Sequence, residues 1–195
     1  MESNWDKTVV YLKSKIKGFK IKEKDGVWHQ LLIDKILFFM PFMKFWSALY
    51  PMVWKPADRF NDYRVLQHEG VHLLDAQSFY GLLPAWPILK WFNTTMFAFC
   101  YGAPQIFFLL VLHVFVSTPL WLLCLLFLLP LPSPGRMLAE MRAYRRSREL
   151  GRDVETIIPA FTTGKYFFMW PFESHVRKML LKDSPYKEEM DKVLE

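Results

Sequence analysis

The chain has 195 residues, of which 52% are hydrophobic and 17% aromatic against 23% charged. That composition excludes a disordered or fibrous chain, and the length suits one domain spanning 1–195 with a real core. The net charge of +6 raises the question of a polyanion, but no base-reading motif accompanies the basic residues, so nucleic acid is not an expected partner.

Residues 1–30 are polar and basic, with a turn signal at Lys24-Asp25-Gly26. The run from Lys13 to Lys22 alternates lysine with other residues. It reads either as a lysine-guarded strand edge or as a segment that touches anionic lipid headgroups. The stretch 31–54 is apolar but broken by Pro41, Lys44 and Pro51, a pattern expected of one or two helices lying at an interface. A helix is predicted over 58–80, opened at Pro56-Ala57-Asp58 and closed at Gly81. From Trp91 to Gly135, 45 consecutive residues carry no formal charge, and Ile106 to Leu131 holds 21 apolar residues in 26. Cys100 and Cys124 both fall in this block without metal-ligand spacing and read as buried thiols. The block stops at Leu131-Pro-Ser-Pro-Gly135, a charged helix follows over 136–150 with Gly151 as terminator, and a last charged helix is expected around 173–194. The fold expected is mainly α, with room for a small N-terminal sheet. The N-terminus, with Glu2 and Asp6 and no apolar run, does not read as a signal peptide and favours a cytoplasmic start.

One motif carries chemistry: His68-Glu69-Gly70-Val71-His72. On a helix, histidines at i and i+4 share a face and reach one zinc ion, while Glu69 is placed to take a proton from a water on that ion. A hydrolytic zinc site needs a third protein ligand. Glu140, on the helix after the apolar block, approaches from another direction. Asp75, one turn past His72, reads instead as a carboxylate holding an imidazole N–H, or as an ordinary solvated side chain.

His68-Glu-x-x-His72 followed by Glu140-Met-Arg-Ala143-Tyr144 resembles the gluzincin branch of the zincin metallopeptidases, whose third ligand is a Glu on a downstream helix, often in a Glu-x-x-Ala context. The apolar block between the ligand helices is similar to that of membrane-embedded zincins of the CAAX-prenyl-protease kind. The strings His72-Leu-Leu-Asp75-Ala-Gln77 and Glu140-x-x-Ala-Tyr144 also look like small bacterial and phage zincin-like proteins. The resemblance covers about residues 60–80 and 138–150. It implies a zincin-like fold, a Zn2+ cofactor held by His68, His72 and Glu140, and hydrolysis of a peptide or protein substrate. The sequence departs from the family where many gluzincins carry Asp four residues after the ligand Glu and this chain has Tyr144. Tyr144 then reads as a hydrogen-bonding partner of a ligand or of the substrate oxyanion, or as a packed core tyrosine. His175 has a similar pair of readings, as an oxyanion donor or as a residue of an amphipathic helix.

The three ligands must meet within about 2 Å of one ion, so the block between them must return to the side it left. Forty-five helical residues span about 67 Å, two bilayer cores. The basic flanks, Lys55 to Lys90 before the block and Arg136 to Arg148 after it, favour the cytoplasm. The expectation is an apolar helical hairpin over 84–134 that inserts into or lies on the cytoplasmic membrane, with arms 84–101 and 105–131. The metal site then faces the cytoplasm, with a lipid bilayer and a peptide substrate as partners. His113 within the block reads as a packed histidine. A di-iron site would need a second Glu-x-x-His, which the chain lacks because Ala143 follows Glu140 at i+3. A serine or cysteine hydrolase would need a nucleophile elbow, also lacking. The non-enzymatic alternative is a membrane-associated interaction protein with an inactive zincin-like core.

Overall fold

The computed structural model describes residues 3–24, 42–102, 133–163 and 169–195. Helix α1 (Asn4–Lys15) starts at Ser3, whose hydroxyl accepts the Asp6 N–H, and carries Lys13 and Lys15 in its last turn, where the helix dipole favours positive charge. Strand β1 (Lys20–Lys24) follows. After a 3-10 turn at Phe42–Lys44, strands β2 (Ser47–Leu49) and β3 (Met52–Pro56) form a hairpin that turns at the cis Tyr50–Pro51 bond. Strand β3 pairs antiparallel with β2 and parallel with β1, so Val53 stands opposite both Ala48 and Ile21. The helices that follow are α2 (Tyr63–Ser78), α3 (Lys90–Gly102), α4 (Pro134–Glu149), α5 (Val154–Thr162), α6 (Glu173–Leu180) and α7 (Lys187–Leu194). The described residues are therefore mainly helical with a small three-stranded sheet.

Helix α4 stands between two buried clusters. Leu12 of α1 and Ile16 just past its end, Val53 of β3, Leu66, Val71 and Leu73 of α2 and Met190 of α7 form the first, which Ala143 of α4 joins. Met137, Met141 and Tyr144 of α4 pack with Ile157 and Phe161 of α5 and Val176 and Leu180 of α6 in the second. Two glycines permit close approach. A Cβ on Gly70 would meet Leu12 Cδ2 at 3.0 Å, so α1 presses on α2 beside the histidines. A Cβ on Gly135 would lie 2.0 Å from the Cys100 carbonyl oxygen, so the end of α3 meets the start of α4 backbone to backbone.

Several sequence expectations are corrected. Pro56 closes β3 instead of opening a helix, and α2 begins at Asp62, whose carboxylate accepts the Arg64 N–H at 2.9 Å. It ends before Gly81, at Phe79 and Tyr80, both in left-handed conformation. Within 31–54, expected to be helical, Ser47–Leu49 and the start of Met52–Pro56 pair as strands, and β1 supplies β3 with a distant partner that no local pattern reveals. The lysine-rich run is split between α1 and β1, and Lys20 and Lys22 line the exposed edge of the sheet. The final helix is two, α6 and α7, parted at 181–186. Gly151 does end α4, with φ of 93°.

The transmembrane expectation is also corrected: no helix among the described residues is long and apolar enough to cross a membrane. Helix α3, the only described helix of the expected first arm, has 13 residues, about 20 Å against a core of about 30 Å, and begins at Lys90. The second arm, with His113 and Cys124, and the Lys24-Asp25-Gly26 turn beyond Lys24 lie outside the described residues.

Candidate metal centre

His68 and His72 lie one turn apart on α2, and Glu140 lies mid-way along α4, which packs against it. All three side chains are at least mostly buried. His68 Nε2 lies 3.7 Å from Glu140 Oε2, and His72 Nε2 lies 3.6 Å from Glu140 Oε1. One ligand atom from each residue falls within 4.8 Å of the others. These separations exceed the 2.7–3.2 Å or so of a direct N–H···O bond. They approach the roughly 3.4 Å edge of a tetrahedron built on metal–ligand bonds of about 2.1 Å. Two imidazole nitrogens and a carboxylate converging at that spacing fit a zinc ion.

The electrostatics of the metal-free cluster follow from burial. Burial alone disfavours charge on His72, but the Glu140 carboxylate beside it, with Glu69 and Asp75 behind, outweighs this and holds the imidazole at about 9. Burial pushes Glu140 upward, but the two imidazoles pull it well below the usual carboxylate range. Glu69, next to His68 on α2, is buried, and that burial raises its carboxyl against the pull of the two imidazoles.

The surrounding side chains come from three helices. Ser147 Oγ of α4 lies 3.0 Å from His68 Nδ1. This contact fixes which face of that ring looks toward Glu140. His72 Nδ1 is buried with no hydrogen-bond partner. The Tyr101 hydroxyl, at the end of α3, donates to Glu140 Oε1 at 2.7 Å, and burial holds that phenol well above its ordinary value. The Tyr144 ring is buried edge-on against His68, centroids 4.7 Å apart, and also contacts Phe161.

Asp75 is neither solvated nor turned to an imidazole. It is fully buried and takes two hydrogen bonds of 2.8 Å from Arg142 of α4 and one of 2.9 Å from the Tyr186 hydroxyl. It thus ties the two ligand-bearing helices together, three residues past His72 and two past Glu140. His175 is exposed on α6, where its Nδ1 accepts the Trp170 indole N–H at 2.8 Å, and it is not among the side chains that converge on Glu140.

Tyr101, Ser147 and Arg142 were not singled out by the sequence reading. Ser147 stands seven residues past Glu140, two turns along the same helix face, a spacing that was available to be read. Tyr101 reaches the site only through the packing of α3, which leaves no local signal. No family model, curated protein or solved structure matches the chain.

Proposed function

We propose that the protein is a zinc-dependent metallopeptidase of zincin type. The observation that carries the reading is the convergence of His68, His72 and Glu140 at metal-ligand spacing, with Glu69 adjoining on the same helix. Zinc held there supplies Lewis acidity, lowering the pKa of a water and polarising a substrate carbonyl. Glu69 is the base. Its carboxylate would take the proton from the attacking water and return it to the departing amine nitrogen. His68, His72 and Glu140 hold the metal, Ser147 orients the His68 ring, and the Tyr101 hydroxyl steadies Glu140. Tyr144 serves by packing the His68 ring.

The test has two readouts. Purified protein loaded with zinc and then dialysed should retain about one zinc per chain, and His68→Ala should lose it. Glu69→Gln should keep the zinc and lose cleavage of a peptide library by a factor of at least about 100. A wild type that takes up no zinc refutes the metal reading. One that holds zinc yet cleaves nothing, with Glu69→Gln indistinguishable from it, favours an inactive zincin-like core in an interaction protein.

A further inference from the structure

Helix α4 carries five arginines, and four of them are spoken for. Arg142 is held by Asp75 and Arg145 by the Met179 carbonyl. Arg146 is held by Gln67, Glu149 and Asp191, and Arg148 by Asp183. Arg136 makes no hydrogen bond or ion pair with any described residue, although it is partly buried and its Nε is fully enclosed. Its guanidinium lies over the Tyr101 ring, 5.2 Å from the centroid, and that same tyrosine donates to Glu140. Arg136 and Glu140 are four residues apart on α4, so they share a face and are offset by about 6 Å along the axis. A half-buried guanidinium with no ion-pair partner among the described residues, one turn from a candidate metal centre, is placed to take an anion in its fork.

We infer that Arg136 binds a carboxylate carried by the substrate, one or two residues to the C-terminal side of the bond that is cleaved. This rests on the metallopeptidase reading and adds to it a substrate class. Extended peptide advances about 3.3–3.6 Å per residue, so a carboxylate one or two residues past a carbonyl at the metal lies about 3.5–7 Å away, which brackets the offset of Arg136 from Glu140. Tyr101 is the spacer: its ring seats the guanidinium and its hydroxyl seats the ligand carboxylate. The carboxylate belongs either to the peptide's C-terminus or to an acidic side chain, and both present the same two oxygens to the fork.

The probes are three mercaptoacetyl peptides, whose thiol is a zinc ligand: mercaptoacetyl-leucine, its C-terminal amide, and mercaptoacetyl-glutamic acid α-amide. Their binding to zinc-loaded protein is measured by calorimetry, with zinc content determined separately. The leucine acid should bind about 10- to 100-fold more tightly than its amide if the terminal carboxylate is recognised. The glutamate amide should show that gain if a side-chain carboxylate is recognised. Arg136→Gln should erase the gain while leaving affinity for the leucine amide and zinc content unchanged, and Arg136→Lys should keep part of it. If all three probes bind the zinc-loaded wild type equally, or if the gain survives in Arg136→Gln, the inference is overturned while the metal centre stands. If the protein takes up no zinc, the inference falls with the metal reading.

Discussion

Replacing Asp75 by alanine tests whether the link between α2 and α4 sets the stability of the domain. Its carboxylate has no exposure and receives three hydrogen bonds, two from Arg142 and one from Tyr186. Removing one member of a buried ion pair costs about 3–5 kcal/mol, because the remaining charge stays desolvated without compensation. The Arg142 side chain is only 15% exposed and is flanked by the Tyr80 and Tyr186 rings, so it has little water to turn to. At about 2–4 °C per kcal/mol for a chain of this size, Asp75→Ala should lower Tm by about 6–20 °C. The double variant Asp75→Ala/Arg142→Met, which removes the stranded guanidinium, should recover about 1–3 kcal/mol of the loss. Urea unfolding of the metal-free protein followed by tryptophan fluorescence, with thermal melts in parallel, measures both. A loss below about 1 kcal/mol for Asp75→Ala, or a double variant less stable than the single one, would refute the reasoning.

Two further outcomes follow from the same cluster. The raised imidazole of His72 stabilises the metal-free fold fully below pH of about 6.5, and that contribution disappears as pH rises through about 9. Glu140, held low, contributes above its usual carboxylate range and loses that contribution as pH falls through its depressed value. Metal-free wild type should therefore lose on the order of 3 kcal/mol between pH 6 and pH 9.5 relative to His72→Gln, as read by urea midpoints at each pH. Parallel pH profiles for the two proteins would contradict the assignment. Ser147→Ala removes the partner of His68 Nδ1 and should weaken zinc affinity by about 10-fold with little change in fold, measured by competition with a chromogenic chelator. An unchanged affinity would leave Ser147 without an orienting role.

The histidine pair and Glu140 were readable in sequence because helical spacing is local and the chemistry of H-E-x-x-H is narrow. What joins them was not. Asp75 has a legible position, but its partner lies 67 residues away, and nothing local distinguishes a buried aspartate from a solvated one. The stretch 31–54 reads as interfacial helix because it is apolar and broken by Pro41, Lys44 and Pro51, and nothing local reveals that Met52–Pro56 has a parallel neighbour at Lys20–Lys24. The charge-free block reads as a membrane hairpin from its composition, its basic flanks and the need for ligands on either side of it to meet. Yet its described start is a short helix whose Asn93 side chain is buried and donates to the Gln77 and Pro84 carbonyls, tying it to the end of α2.

The distribution of guanidiniums along α4 has a mechanical consequence. Arg142 and Arg146 each engage α2 and the α7 region, one turn apart, and Arg145 engages the end of α6. A helix keyed in this way cannot slip by one residue, a rotation of about 100°, without unseating all of these attachments together. The position of Glu140 is therefore not a quantity that drifts as the protein softens. Its geometry persists until the helix leaves its bed, so loss of the metal-binding arrangement and loss of the fold should be one event.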